Sequence, residues 1–191
     1  MAFIIGISGA TGVGKSTLCS DLAERLSELK SPKIETEIRG RVARSLKRSG
    51  IPSDGDTREI DYPMYFEKHF KNIVAPTSAD VLILDRTIVD TLSYAKVNAN
   101  LSPQWIGLIE SITGYLMTLV IKYFFIPIEF GIAEDGVRCI DPEYRVKVEH
   151  AILENLHRFR RDYQVLKGAR PERVDQAIRI LASLVRNSTS R

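Results

Sequence analysis

The chain has 191 residues, with 27 Lys+Arg, 24 Asp+Glu, a formal net charge of +3 and 44% hydrophobic residues. That length and balance predict one folded domain over residues 1–191 and exclude a disordered chain. The positive excess is too small to indicate a nucleic-acid partner, although it tolerates anionic substrates. Two cysteines, Cys19 and Cys139, cannot build a disulfide framework and suit a reducing compartment. The first residues carry no basic stretch of the kind a signal peptide needs, and the most apolar segment, 112–130, is interrupted by Lys122, Pro127 and Glu129. No membrane span is therefore expected, and the expected location is cytoplasmic.

Taken in chain order, residues 3–8 are a short apolar run closed by glycine, which predicts a buried strand. Leu18, Leu22, Leu26 and Leu29 recur at helical spacing over 15–30, and Pro32 stops that helix. Residues 33–38 predict a second strand. Ile38, Val42 and Leu46 then line one side of a helix whose other side carries Arg41, Arg44 and Arg48, and Gly50 and Pro52 end it. A third helix is expected over 57–74, with Tyr62, Tyr65, Phe66, His69 and Phe70 on one face. The unbroken apolar run at 81–84 predicts a buried strand, followed by helices over 87–98 and 103–117 and a strand over 119–126. Residues 127–140 read as a loop. Asp141 and Pro142 have the character of an N-cap and first helical residue for a long helix. A last strand is expected at 163–166 and a last helix from Arg170 and Pro171, fraying after Asn187.

Strands alternating with helices predict an α/β fold, a five-stranded parallel sheet covered by helices on both faces. Its site belongs beyond the carboxyl ends of the strands, just after Ser8, Ile38, Leu84, Ile126 and Leu166.

Residues 9–16 carry the most specific signal. Gly9-Ala10-Thr11-Gly12-Val13-Gly14-Lys15-Ser16, followed by Thr17, is G-x-x-x-x-G-K-[ST], and it lies between a buried strand and an amphipathic helix. Glycines let the backbone wrap a phosphate with its N–H groups turned inward, and the helix start adds further N–H groups. Lys15 supplies a full charge for the β- and γ-phosphates, and Ser16 an oxygen for Mg²⁺. A nucleoside triphosphate is the expected ligand, ATP in particular. Asp85, closing the second buried strand, is placed to serve Mg²⁺ or the attacking group, unless it only caps the helix that follows, a role for which Thr87 competes.

Asp85-Arg86-Thr87-Ile88-Val89-Asp90-Thr91-Leu92-Ser93-Tyr94 resembles the D-R-x-x-x-D-x-L-[AS]-Y signature of AAA-like P-loop kinases related to the ribosylnicotinamide kinase domain and to nucleoside and thymidylate kinases. The resemblance covers most of the chain and implies the three-layer P-loop NTPase fold with a lid at about 127–141. It also implies a small-molecule nucleoside or nucleotide acceptor and the cofactors ATP and Mg²⁺. Glu134 to Arg138, before Asp141 to Arg145, resembles the family's lid, and 168–173 resembles the loop that packs on adenine, which brings Arg173 to the nucleotide. After the second strand the family carries a Glu and an Arg three residues on. Here Glu37, with Arg39 or Arg41, is the nearest counterpart.

The resemblance assigns Lys15, Asp85, Arg86 and Arg138 to catalysis, and Ser16 and Asp85 to the metal. Arg138 or Arg145 could close over the transferring phosphate, or else be solvated charge. Tyr62 and Phe66 could stack an aromatic ring but equally suit an amphipathic helix core. Glu37, Arg39, Arg41, Asp90 and Arg145 complete the expected acceptor set. His150 and His157, seven apart, do not have a metal-binding spacing. Three functions remain open: a kinase for a nucleoside-like acceptor such as nicotinamide riboside, a thymidylate-type monophosphate kinase, and a regulatory ATPase or switch. A homo-oligomer is compatible with each.

Overall fold

The computed structural model describes residues 2–29, 34–53, 56–98, 101–129 and 141–188, with side chains through residue 184. Most of the expected lid, including Glu134 and Arg138, lies outside the described residues, as does Cys139. The strands are β1 (Phe3–Ser8), β2 (Thr36–Gly40), β3 (Val81–Asp85), β4 (Lys122–Phe125) and β5 (Tyr163–Val165). The helices are α1 (Lys15–Ser27), α2 (Val42–Arg48), α3 (Tyr62–Val74), α4 (Ile88–Val97), α5 (Pro103–Met117), α6 (Pro142–Arg158) and α7 (Arg170–Ser188). All strand pairs are parallel, in the order β2-β3-β1-β4-β5. Each crossover therefore carries a helix to one face, the three-layer architecture of P-loop NTPases.

The sheet divides the core in two. Val81 and Ile83 of β3 join Ile5, Ile7, Leu22, Phe124 and Leu181 on the face covered by α1 and α7. Leu82 and Leu84 join Ile88, Leu92, Tyr123, Phe125 and Ile152 on the other face. This alternation is the strand period written into a sequence that is apolar throughout.

Three elements differ from the sequence expectation. The second strand runs later, to Gly40, so Ile38 belongs to β2 and is 41% exposed rather than lining α2. Its end is set by backbone: Gly40 and Arg41 have φ of 153° and 57°, outside the range a strand or right-handed helix can continue. The third helix is preceded by a 3-10 turn, Glu59–Asp61, whose start is fixed by Arg58 donating to Asp61. Its buried face is Tyr62, Tyr65, Phe66, His69 and Ile73, while Phe70 is 48% exposed. The fourth strand starts only at Lys122, because the amides of Thr118, Leu119 and Val120 bond back to the last carbonyls of α5. Asp141 caps α6 as expected, accepting from the amides of Glu143 and Tyr144 at 2.9 and 3.3 Å.

Candidate active site

β1 sits at the centre of the sheet, so the loop after Ser8 opens at the switch point between β3 and β4, where an open α/β sheet places its ligands. The loop over 9–14 turns through positive φ at Gly9, Gly12 and Gly14. At Gly9 a Cβ would come within 2.5 Å of the Ile126 carbonyl oxygen, so only glycine lets the chain leave β1 so close to the end of β4. Gly14 (φ 94°) precedes α1, whose first turn holds no acidic residue. Its free N–H groups are left for an anion.

Lys15 is 5% exposed and folds back, its Nζ donating to the Gly9 carbonyl at 2.7 Å and to that of Ala10. Burial, aided by the nearby Arg86 charge, pulls its pKa from 10.5 down to about 7. A lysine held this way donates to carbonyls rather than to a carboxylate, and a phosphate in the loop supplies an anion for it.

The register β1–β3 pairs Ile7 with Asp85, which sets the end of β3 beside the start of the loop. Ser16 Oγ donates to Asp85 Oδ2 at 2.6 Å. A hydroxyl and a carboxylate at the mouth of a phosphate loop are the hard oxygen donors that Mg²⁺ takes together with phosphate and water, so the residues present fit that ion. Among the described residues no cluster of three or more His, Cys, Asp or Glu could hold a metal by itself.

Arg86 follows at φ 73°, fixed by its amide donating to the Ile7 carbonyl, with its guanidinium 5.3 Å from the Tyr94 ring centroid. Asp90 is bonded within the fold and also lines a pocket beside Arg86. Its Oδ1 accepts from the Gly9 amide at 3.2 Å, and its Oδ2 from Ser8 Oγ, the Thr87 amide and Thr87 Oγ1 at 2.9, 2.8 and 3.2 Å. Both oxygens are committed to tying the end of β1 to the start of α4. The T-x-x-D spacing of Thr87 and Asp90 is a capping-box signal that the sequence did carry.

Two buried arginines grip the loop from outside. Arg145 Nε donates to the Thr11 carbonyl at 3.1 Å, and Arg173 Nη1 to that of Val13 at 2.9 Å. Arg145 is thereby a loop residue rather than an acceptor residue, and its Nη2 is buried without a hydrogen-bond partner among the described residues. Arg173 also pairs with Glu129 at 2.6 Å. Beside them a cavity of about 250 Å³ is lined by Gly12, Gly14, Thr17, Asp21, Gly168 and Arg170. Asp21 and Arg170 close its edge with a two-pronged ion pair at 2.6 and 2.7 Å, a contact between 149-residue-distant positions that spacing could not reveal.

A second pocket opens on the far side of Asp85 and Arg86. It is a narrow space of about 40 Å³ lined by Tyr62, Tyr65, His69, Arg86, Asp90, Thr91 and Tyr94. Tyr62 lines this pocket, whereas Phe66 is core, packed with α4 residues. Glu37 and Arg39 are not in it either. They pair with each other at 2.6 Å, and Arg39 donates to the carbonyls of Asn72, Ala75 and Pro76, closing the end of α3. Arg41 is exposed ahead of α2 and outside the lining of this pocket. Cys19 is buried, its thiol pushed up by burial, which makes it unreactive.

Comparison with known proteins places this geometry. The crystal structure of NadR protein in complex with NR matches with a TM-score of 0.70 and 18% identity, covering 93% of this chain and 49% of that one. NadR protein in complex with NAD and AMP-PNP matches with a TM-score of 0.72 and 16% identity, covering 95% and 49%. This chain thus spans about half the length of the NadR structures. Thymidylate kinase from Ehrlichia chaffeensis matches with a TM-score of 0.66 and 16% identity, covering 94% of this chain and 98% of that one. No curated protein sequence matches. At these identities the likeness is one of fold. The AAA domain family model, however, matches residues 4–173, which takes in the phosphate loop, Asp85, Arg86 and the arginines that grip the loop, and the chain belongs to that family.

Proposed function

We propose that the protein is an ATP- and Mg²⁺-dependent phosphotransferase acting on a small nucleoside-like acceptor such as nicotinamide riboside. The observation that carries the reading is the position of Asp85, which touches Ser16 of the phosphate loop and stands next to Arg86, a wall of the second pocket. Asp85 thus touches the donor loop, and its neighbour Arg86 belongs to the acceptor pocket. The relatives of like fold are kinases or hold nucleotide and nucleoside ligands, which supports the same reading.

The roles follow from the chemistry. The loop amides and Lys15 hold the β- and γ-phosphates, and the cavity edged by Asp21 and Arg170 takes the adenine. Ser16 and Asp85 would hold Mg²⁺, which would supply charge neutralisation on the phosphates. The acceptor hydroxyl oxygen forms a bond to the γ-phosphorus as the bond to the ADP oxygen breaks, and its proton passes to Asp85. Arg86, with Arg138 from the lid, balances charge on the phosphoryl oxygens. The second pocket is narrow, so a ring-sized acceptor widens it on entry.

A neutral hydroxyl acceptor is favoured over a monophosphate by charge. Arg86 is the only Lys or Arg among the described lining residues of the acceptor pocket, and a doubly charged phosphate needs more. The test is ADP release from ATP with Mg²⁺, alone and with a panel of nucleosides and nucleoside monophosphates. Turnover that depends on a nucleoside supports the proposal. Dependence on a monophosphate supports the thymidylate-type reading, and turnover indifferent to every acceptor supports a regulatory ATPase.

A further inference from the structure

The acceptor pocket contains a buried imidazole to which the phosphoryl-transfer chemistry gives no role. His69 is 4% exposed, projects from α3 and lines the pocket with Tyr62, Tyr65 and Thr91. Its Nε2 is 2.8 Å from Thr91 Oγ1, a buried bond that fixes the plane of the ring. Thr91 is itself held in place, one residue after Asp90, whose carboxylate is anchored to the end of β1. Nδ1 has no hydrogen-bond partner among the described residues.

We infer that His69 is a specificity-determining residue, its Nδ1 reading the edge of the acceptor's ring and favouring an amide edge, a carbonyl beside an N–H, over an apolar one. The inference rests on the reading of this pocket as the acceptor site. Its chemistry is as follows. Burial and the Arg86 charge pull the His69 pKa down to about 3, so the ring is neutral at physiological pH. A neutral imidazole whose Nε2 is engaged offers a single donor or a single acceptor at Nδ1, according to tautomer. An amide edge carries both complements and satisfies either. An apolar edge satisfies neither and leaves a buried polar atom unpaired, a cost that sites of this kind convert into discrimination. The tyrosine rings accept the flat faces of such a heterocycle without reading its edge.

The test uses probes that differ at that edge alone: inosine against purine riboside, and nicotinamide riboside against unsubstituted pyridine riboside. Binding is measured calorimetrically in the presence of Mg²⁺ and AMP-PNP, separately from phosphoryl transfer. The wild type is expected to prefer the amide-bearing member of at least one pair by roughly tenfold. His69→Phe is expected to bring that ratio close to one with AMP-PNP affinity unchanged. Thr91→Val is expected to reduce the ratio, because the ring loses its anchor, and Thr91→Ser to restore it. A wild type without preference, or a His69→Phe variant that keeps the parental ratio, overturns the inference. If His69→Phe does not fold, Thr91→Val decides, and an unchanged ratio there overturns it equally. Preference in binding without transfer to any acceptor leaves His69 in place and removes the kinase reading. Transfer without preference does the reverse.

Discussion

Nucleotide binding is expected to draw a proton onto Lys15, and the size of the effect follows from its burial. A fall in pKa from 10.5 to about 7 sets roughly 5 kcal/mol against the buried ammonium, at about 1.36 kcal/mol per pH unit. The unfolded chain keeps Lys15 protonated up to about pH 10.5, whereas the folded, ligand-free chain releases the proton near pH 7. Between those values the unfolded state binds more protons, so this group makes the fold more stable as pH rises from 7 to 10.5, and its penalty is complete below pH 7. A triphosphate in the loop reverses the shift by giving the ammonium its partner. At pH 8 about nine-tenths of ligand-free Lys15 is neutral, so binding takes up about 0.9 proton, against about 0.1 at pH 6. Calorimetry of AMP-PNP binding with Mg²⁺, in two buffers of unlike ionisation enthalpy, measures that uptake directly. Lys15→Met removes it. Ligand-free Lys15→Met is also expected to melt higher relative to the parent at pH 6 than at pH 9. An uptake near zero at pH 8, or the same uptake in Lys15→Met, would refute the placement of Lys15 as a buried cation awaiting phosphate.

Three further outcomes are expected. Asp85→Asn keeps the shape beside Ser16 but loses the base, and single-turnover transfer is expected to fall by ~10²–10⁴ with nucleotide binding largely retained. Unimpaired transfer would reduce Asp85 to a structural residue. Arg39→Ala strips donors from three carbonyls at the end of α3 and is expected to cost about 2 kcal/mol in urea unfolding. Its nucleotide affinity should match the parent's, and a lost acceptor affinity instead would return Arg39 to the site. Gly40→Ala combines a φ of 153° with overlap of its Cβ on the Asp85 carbonyl oxygen. It is expected to destabilise by about 2–3 kcal/mol and to weaken Mg²⁺-dependent nucleotide binding, and a neutral result would show that the β2–β3 contact adjusts freely.

The parts of the molecule legible in the sequence were those governed by local rules. The glycine spacing of 9–14 and the unbroken apolar runs of β1 and β3 each follow from backbone geometry or burial acting over a few residues. The capping pair Asp141-Pro142 is local in the same way. Ile38 was misread because an apolar residue four before Val42 fits a helix stripe as well as a strand, and only the positive φ at Gly40 and Arg41 separates them. Acceptor-side residues were read by charge and resemblance. Arg39 is engaged by internal partners 33–37 residues away, and Asp90, which lines the second pocket, is bonded as well to partners 81–82 residues away. No local pattern distinguishes an arginine that closes a helix from one that awaits a substrate. The same holds for His69, whose face on α3 was legible but whose partner Thr91 was not.

Helix α6 links these levels. It begins directly after 130–140, and along one helix it carries three inward grips. Arg145 holds the Thr11 carbonyl of the phosphate loop, Glu149 accepts from the Ile128 amide at 2.6 Å beyond β4, and Asn155 donates to Ser93 of α4 at 2.9 Å. Lys96 of α4 returns a bond to the Asn155 side chain at 2.7 Å, so the last grip engages both ends of a buried amide. Donor loop, the chain beyond β4 and the helix that bears Asp90 and Thr91 are therefore fastened to a single rod. Its first turn reaches Thr11 through Arg145 and the wall of the second pocket through the Tyr144 ring, 6.1 Å from that of Tyr94. Because Tyr94 in turn lies under the Arg86 guanidinium, the start of α6 touches the phosphate loop through Arg145 and a wall of the second pocket through Tyr144.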